Sequence, residues 1–361
     1  MLAFLSIVML QSTVSYAQEA PPIVGGYTTS DFEQVGQVFA YNESSGYSAA
    51  FCSGTLIHPS WVVTAAHCVA GSDAAQGMAN QGYTIYFVIA TDVYAELQNG
   101  RYTAIAAVSS MEAHSGYNPN DSNSIRDDIA LLRLQTPIYE VSPMPLNRQA
   151  PNTSWNDIRY VGFGITGTNR QDSGERRTVE VPLNDSNNQY WPYTTDSMFM
   201  YTWDPAGRTN ICSGDSGGAA LRQHSDGTYS LAGVNSFGMN VQGGSDSCSG
   251  VGAVAGSTRI DMYYSWLSAR VDFSQTSEPS AEPSTEPSSP SSEPTAEPGT
   301  DSTTGDWVAP FPDGEYDDSA DLKVSACSSA NTSLSSSSQA WWMFAVSFVS
   351  IVLTQYRTRR K

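Results

Sequence analysis

Short apolar runs rich in Val, Ile, Tyr and Thr recur from Tyr27 to about Asp272, separated by clusters of Gly, Asn, Asp and Ser. That rhythm predicts β-strands joined by tight turns. Residues 83–90, 102–108 and 178–181 give the clearest strand signals. Helical spacing emerges near the end of the stretch. There Met262, Tyr263, Trp266, Leu267 and Arg270 share one side, with Ser265 and Ser268 on the other. The pattern predicts an all-β domain with a C-terminal helix, and about 250 residues is ample for a core.

Both ends break the rhythm. Residues 1–17 hold an apolar core at 2–10 and a small-residue exit at Ser15-Tyr16-Ala17. This reads as a secretory signal cut after Ala17, because a membrane helix needs about 20 apolar residues. Beyond Phe273, Ser277-Glu278-Pro279 recurs as Ala281-Glu282-Pro283, Thr285-Glu286-Pro287, Ser292-Glu293-Pro294 and Ala296-Glu297-Pro298. Such a segment has nothing to bury, and its prolines block helix and sheet, so residues 273–326 read as a disordered, extended stalk. Thirty residues at about 3.1 Å each would reach roughly 90 Å. Residues 327–361 close with the apolar run 340–353, followed by Arg357, Arg359, Arg360 and Lys361. An apolar segment ending in cations reads as a short hydrophobic helix and membrane stop. Even counted through Tyr356 it is about 17 residues, near the lower limit for spanning.

Charge narrows the partners. The net charge of −19 divides as −11 over residues 23–272 (12 basic, 23 acidic) and −7 beyond residue 274, with Glu19 accounting for the rest. A domain this acidic repels phosphate backbones, so no nucleic-acid partner is expected. Export permits disulfides, and the five cysteines read as two bridges with one left over.

The chemistry centres on Cys212-Ser213-Gly214-Asp215-Ser216-Gly217-Gly218. Serine needs a base to remove its proton and donors for the oxyanion. Glycines close to Ser216 let backbone N–H groups face a bound carbonyl unobstructed. Asp215 could hold the loop in shape if it meets a cation. The base candidate is His67, in Thr64-Ala65-Ala66-His67-Cys68; His58 belongs to a turn, and His114 and His224 lie in polar loops. Asp127 and Asp128 compete for the orienting role at the start of an apolar run, and the Asp-Ile-Ala-Leu-Leu context selects Asp128. Strand alternation would put the two acids on opposite faces.

The order His67, Asp128, Ser216 is that of chymotrypsin-type triads. From Ile23-Val24-Gly25-Gly26 to about Val271 the chain resembles the trypsin/chymotrypsin-like serine proteases, and Gly162-Phe163-Gly164 stands where that family often has Gly-Trp-Gly. The resemblance implies two packed six-stranded antiparallel β-barrels with a C-terminal helix over residues 23–272. It implies a catalytic triad of His67, Asp128 and Ser216, an oxyanion hole from the N–H groups of Gly214 and Ser216, and disulfides Cys52–Cys68 and Cys212–Cys248. Residues 18–22 would be a short propeptide, whose removal frees the Ile23 amino group to pair with Asp215. Pro22 departs from the Arg or Lys usual at that cut.

The resemblance also puts Asn210 at the base of the primary pocket, with Ser236, Gly238 and Ala255 in its walls. An uncharged base selects against Arg and Lys and suits a neutral side chain of small to medium size. The implied protein is a monomeric enzyme acting on proteins or peptides, with no metal and no organic cofactor. A protease-fold binding or adhesion module without turnover is the alternative. The tail resembles surface-sorting signals of some Gram-negative bacteria, notably the myxobacterial type, which would make Cys327 the anchor of a secreted protein on the cell surface. A plain single-pass membrane anchor is the other reading.

Overall fold

The computed structural model describes residues 22–121, 125–152, 154–184 and 198–274. The expected signal peptide, nearly all of the propeptide and stalk, and the tail with Cys327 lie outside the described residues. No helix among the described residues is long and apolar enough to cross a membrane.

Two closed antiparallel barrels make up the domain. The first joins β2 (Val35–Asn42), β3 (Tyr47–His58), β4 (Trp61–Thr64), β7 (Ala130–Leu134), β6 (Ala104–Ala113) and β5 (Thr84–Ile89), with β5 returning to β2. The second joins β9 (Arg177–Asn184), β10 (Phe199–Trp203), β13 (Ala253–Arg259), β12 (Tyr229–Asn240), β11 (Ala219–Gln223) and β8 (Asp157–Gly162), and the β8–β9 pairing closes it. The two-residue β1 (Tyr27–Thr28) extends the edge of β9. Closure leaves each barrel without long free edges.

Alternating apolar residues fill each interior. Phe39, Leu56, Val63, Phe87 and Leu132 are fully buried in the first core, and Ile158, Tyr160, Val181 and Ala255 in the second. Each such aliphatic or Phe side chain contributes about 1.5–3 kcal/mol by leaving water. The helix Ile260–Ser268 adds Ile260, Tyr263 and Leu267 to the first core. Met262, expected on that face, is instead exposed. Its place one residue before Tyr263 turns it about 100° away from the buried stripe.

A buried cation joins the barrels. Arg176 is 1% exposed, and its guanidinium donates to the carbonyls of Val35 (3.1 Å), Ser30 (3.2 Å) and Ala90 (2.8 Å). It also lies over the Phe163 ring. Burial lowers its pKa to about 10.

Candidate active site

The base candidate sits where β4 runs out of the first barrel. After Thr64 the chain enters a single 3-10 turn, Ala66–Cys68, and the Cys52–Cys68 disulfide ties this turn back to β3. His67 then meets Asp128 twice. Its backbone N–H donates to Oδ1 at 2.8 Å, and its Nδ1 lies 2.8 Å from Oδ2. An ionised carboxylate only accepts, so Nδ1 carries the proton and Nε2 of the neutral ring remains an acceptor. Burial pulls the imidazole pKa down, but the Asp128 charge and hydrogen bond prevail and raise it. Asp128 is 1% exposed. Burial pushes its pKa up, yet the His67 charge and the bonds from His67 and Ser236 hold it below the ordinary carboxylate range.

Asp127 has a structural task of its own. At φ 52° it lies just before β7 rather than on a strand, so strand alternation does not separate the two acids. Its Oδ1 accepts the Tyr263 hydroxyl at 2.7 Å and lies 3.6 Å from His114 Nδ1, tying the loop to the C-terminal helix.

The candidate nucleophile comes from the second barrel, in the loop between β10 and β11, and the Cys212–Cys248 disulfide fastens that loop. Gly214 and Gly217 have φ of 92° and 81°, values that side-chain-bearing residues rarely adopt. A Cβ on Gly217 would also lie 2.0 Å from Thr64 Oγ1, so the nucleophile loop packs directly on the segment carrying His67. Neither the Gly214 nor the Ser216 N–H meets an acceptor among the described residues. Ser216 Oγ and His67 Nε2 are both buried and without a hydrogen-bond partner there. The sulfurs of Cys52 and Cys68 approach the His67 ring, but they are bonded to each other and so offer no thiolate to a metal.

Asp215 is completely buried, and its carboxylate accepts only backbone N–H groups, from Cys212 (2.9 Å) and Gly164 (2.8 Å). Burial raises its pKa to about 7, against those two bonds and the more distant charge of Arg177. Ile23 is also fully buried, in the core of the second barrel, with φ 41°. That backbone conformation is a marked outlier for a β-branched residue.

Asn210 is buried, and its amide is engaged on both sides. Nδ2 donates to the Ser247 carbonyl at 3.1 Å, and Oδ1 accepts from the Ile211 N–H at 2.9 Å. Gly238 pairs with Ala255 across β12 and β13, and a Cβ on Gly238 would lie 3.0 Å from the Ser247 carbonyl oxygen. Ser236 donates its hydroxyl to Asp128 Oδ2. Asp246, the remaining acid of this region, is consumed by Thr168, Cys248 and Ser249.

Comparison with known proteins agrees with this geometry. The trypsin family model matches residues 23–267. The chain belongs to the trypsin family. It is 30% identical to trypsin-1 of Salmo salar over 57% of this chain and 78% of that protein. A chymotrypsin-like elastase family member 1 of Rattus norvegicus is 28% identical, over 74% of this chain and 96% of its own length. A trypsin of Saccharopolyspora erythraea is 26% identical, over 62% and 87% respectively. This trypsin-family chain is a serine endopeptidase.

Sequence reasoning missed Ser53 altogether, and named Ser236 as a pocket wall without its bond to Asp128. Ser236 and Ser53 reach their partners across 108 and 161 residues of chain, and no local motif announces such contacts.

Proposed function

We propose that the chain is a secreted, surface-tethered endopeptidase in which His67, Asp128 and Ser216 form the catalytic triad. The observation that carries this reading is the arrangement at His67. Asp128 occupies Nδ1, while Nε2, the Ser216 hydroxyl and two backbone donors are left without partners among the described residues. Ser216 Oγ would attack the scissile carbonyl as its proton passes to His67 Nε2. The N–H groups of Gly214 and Ser216 would receive the negative oxygen. His67 would return the proton to the leaving amine, and water would release the acyl group by the same steps. Asp128 keeps Nδ1 protonated throughout and stabilises the imidazolium. A fluorophosphonate label, which reacts only with an activated serine, tests this directly. Covalent attachment at Ser216 is expected in protein that begins at Ile23; folded protein with that N terminus and no label would refute the triad.

Substrate choice follows from the uncharged Asn210. With its amide tied to Ser247 and Ile211, it offers no carboxylate to a cationic side chain. A neutral side chain of small to medium size therefore suits the site.

Activation by cleavage before Ile23 is supported by Asp215, a buried carboxyl with two backbone donors and no directly bonded cation among the described residues. A buried charge in that position calls for a partner. A new amino group at Ile23 would provide one and free that residue from its strained backbone. Active enzyme is therefore expected to begin at Ile23 when sequenced from its N terminus. Full activity in protein beginning at Gln18 would leave Asp215 without that partner and refute the pairing.

Tethering rests on the sequence: a leader at 1–17, the Glu-Pro stalk and the apolar-basic tail with Cys327. Truncation after Phe273 is expected to release soluble, active protein into the medium, while the full chain fractionates with membranes. Equal release of both would show that the tail is no anchor.

A further inference from the structure

The oxyanion donors belong to a run of three peptide planes, and each plane is pinned by its carbonyl. Ser213 O accepts the Ile165 N–H at 2.9 Å, and Asp215 O accepts the Gly218 N–H (3.0 Å) and Asn235 Nδ2 (3.1 Å). In a trans peptide the N–H points opposite the C=O. Pinning Ser213 O therefore aims the Gly214 N–H, and pinning Asp215 O aims the Ser216 N–H. The plane between them, Gly214–Asp215, sets the angle of one donor to the other. Its carbonyl is held by a side chain, the hydroxyl of Ser53, at 2.8 Å.

We propose that Ser53 is a positioning residue for the oxyanion hole, holding the Gly214 carbonyl so that the Gly214 and Ser216 N–H groups converge on one point. Three further contacts make Ser53 suited to this. It is completely buried, so water does not compete for its hydroxyl. The Phe163 N–H donates to the same oxygen at 3.1 Å, which leaves the single hydroxyl proton directed at Gly214 O. Its own N–H donates to Ser216 O at 2.8 Å, and its carbonyl accepts the Thr64 hydroxyl at 2.8 Å. Thr64 stands three residues before His67. One residue of β3 thus fixes the loop of the second barrel against the segment of the first that carries the base.

This role rests on the oxyanion reading above, and the test separates the two. In the active enzyme, cleaved before Ile23, Ser53→Ala is expected to lower kcat for peptide amides by roughly 10–100-fold, less than the loss of a donor itself. KM should stay within about threefold, because the ground-state carbonyl gains less from the donors than the tetrahedral oxyanion. Affinity for a peptide boronate, whose tetrahedral adduct fills the hole, should fall in proportion to kcat. Unchanged kcat, or a loss carried entirely by KM, would overturn the role. If Ser53→Ala does not fold, Ser53→Thr and Ser53→Val, alike in shape, carry the comparison. The Thr variant should exceed the Val variant at least tenfold in kcat, and equal rates would count against the role. Ser216→Ala assayed alongside completes the separation. Activity retained there removes the catalytic reading itself, whereas activity lost there with normal kcat in Ser53→Ala removes only the role of Ser53.

Discussion

Replacing Ser216 with Ala is expected to cut peptide hydrolysis by roughly 10⁵–10⁶-fold while leaving the domain folded. The substitution removes one oxygen that has no hydrogen-bond partner among the described residues, so no structural bond is broken. The disulfides Cys52–Cys68 and Cys212–Cys248, the Asp128–His67 pair and both cores are untouched. What survives is the catalysis that binding and oxyanion donors supply without a nucleophile. The measurement is kcat/KM on a peptide amide with a small neutral residue at the cut, alongside circular dichroism and the fluorophosphonate label. Hydrolysis within tenfold of wild type in a pure sample would mean that another group attacks the carbonyl.

Asp128→Asn should cost about 10⁴-fold, for a different reason. The carboxylate can only accept from His67, which obliges Nδ1 to carry the proton. An amide presenting its NH₂ to the ring would reverse the tautomer, putting the proton on Nε2, where the base must be empty. The pH dependence carries the sign. In the wild type the net effect of Asp128 is to raise the His67 pKa, so activity grows as the pH climbs through that raised value and the ring loses its proton. Without the negative charge, the acid limb of kcat/KM should move to lower pH. A limb that stays in place would show that Asp128 does not govern His67. Asp127→Asn is the control. Its carboxylate serves Tyr263 and does not touch His67, so the acid limb should not move.

The candidate site was legible wherever its residues sit in characteristic local contexts. Thr64-Ala65-Ala66-His67-Cys68 and the glycine-flanked Ser216 concern conformations set within a few residues, and the structure brings both segments together. The two-barrel fold came through the family resemblance, since alternating short strands alone suit a sandwich equally well. Edges were harder. The run 102–108 becomes β6, Ala104–Ala113, because its exposed half is held by pairing to β7 and not by any apolar pattern of its own. The same limit hides Ser53 and Ser236, whose work depends on the other barrel or on a residue more than a hundred positions away. Asp127 reads as a spare acid until the C-terminal helix delivers Tyr263 to it.

Arg176 gives the junction between the barrels an unusual durability. The acceptors that hold it are peptide carbonyls, which neither gain nor lose protons across the ordinary pH range. Burial also keeps counterions away, so added salt has little to screen. Acid sensitivity belongs to carboxylates with depressed pKa values, Asp128 in the site and, nearer the surface, Asp172. Partial burial pushes its pKa up, but hydrogen bonds from Thr166 win and depress it, so its contribution is complete above about pH 4 and fades as the pH falls through the lowered value. Surface loops held by such carboxylates can therefore loosen in acid while the contacts of Arg176 keep their full complement of acceptors.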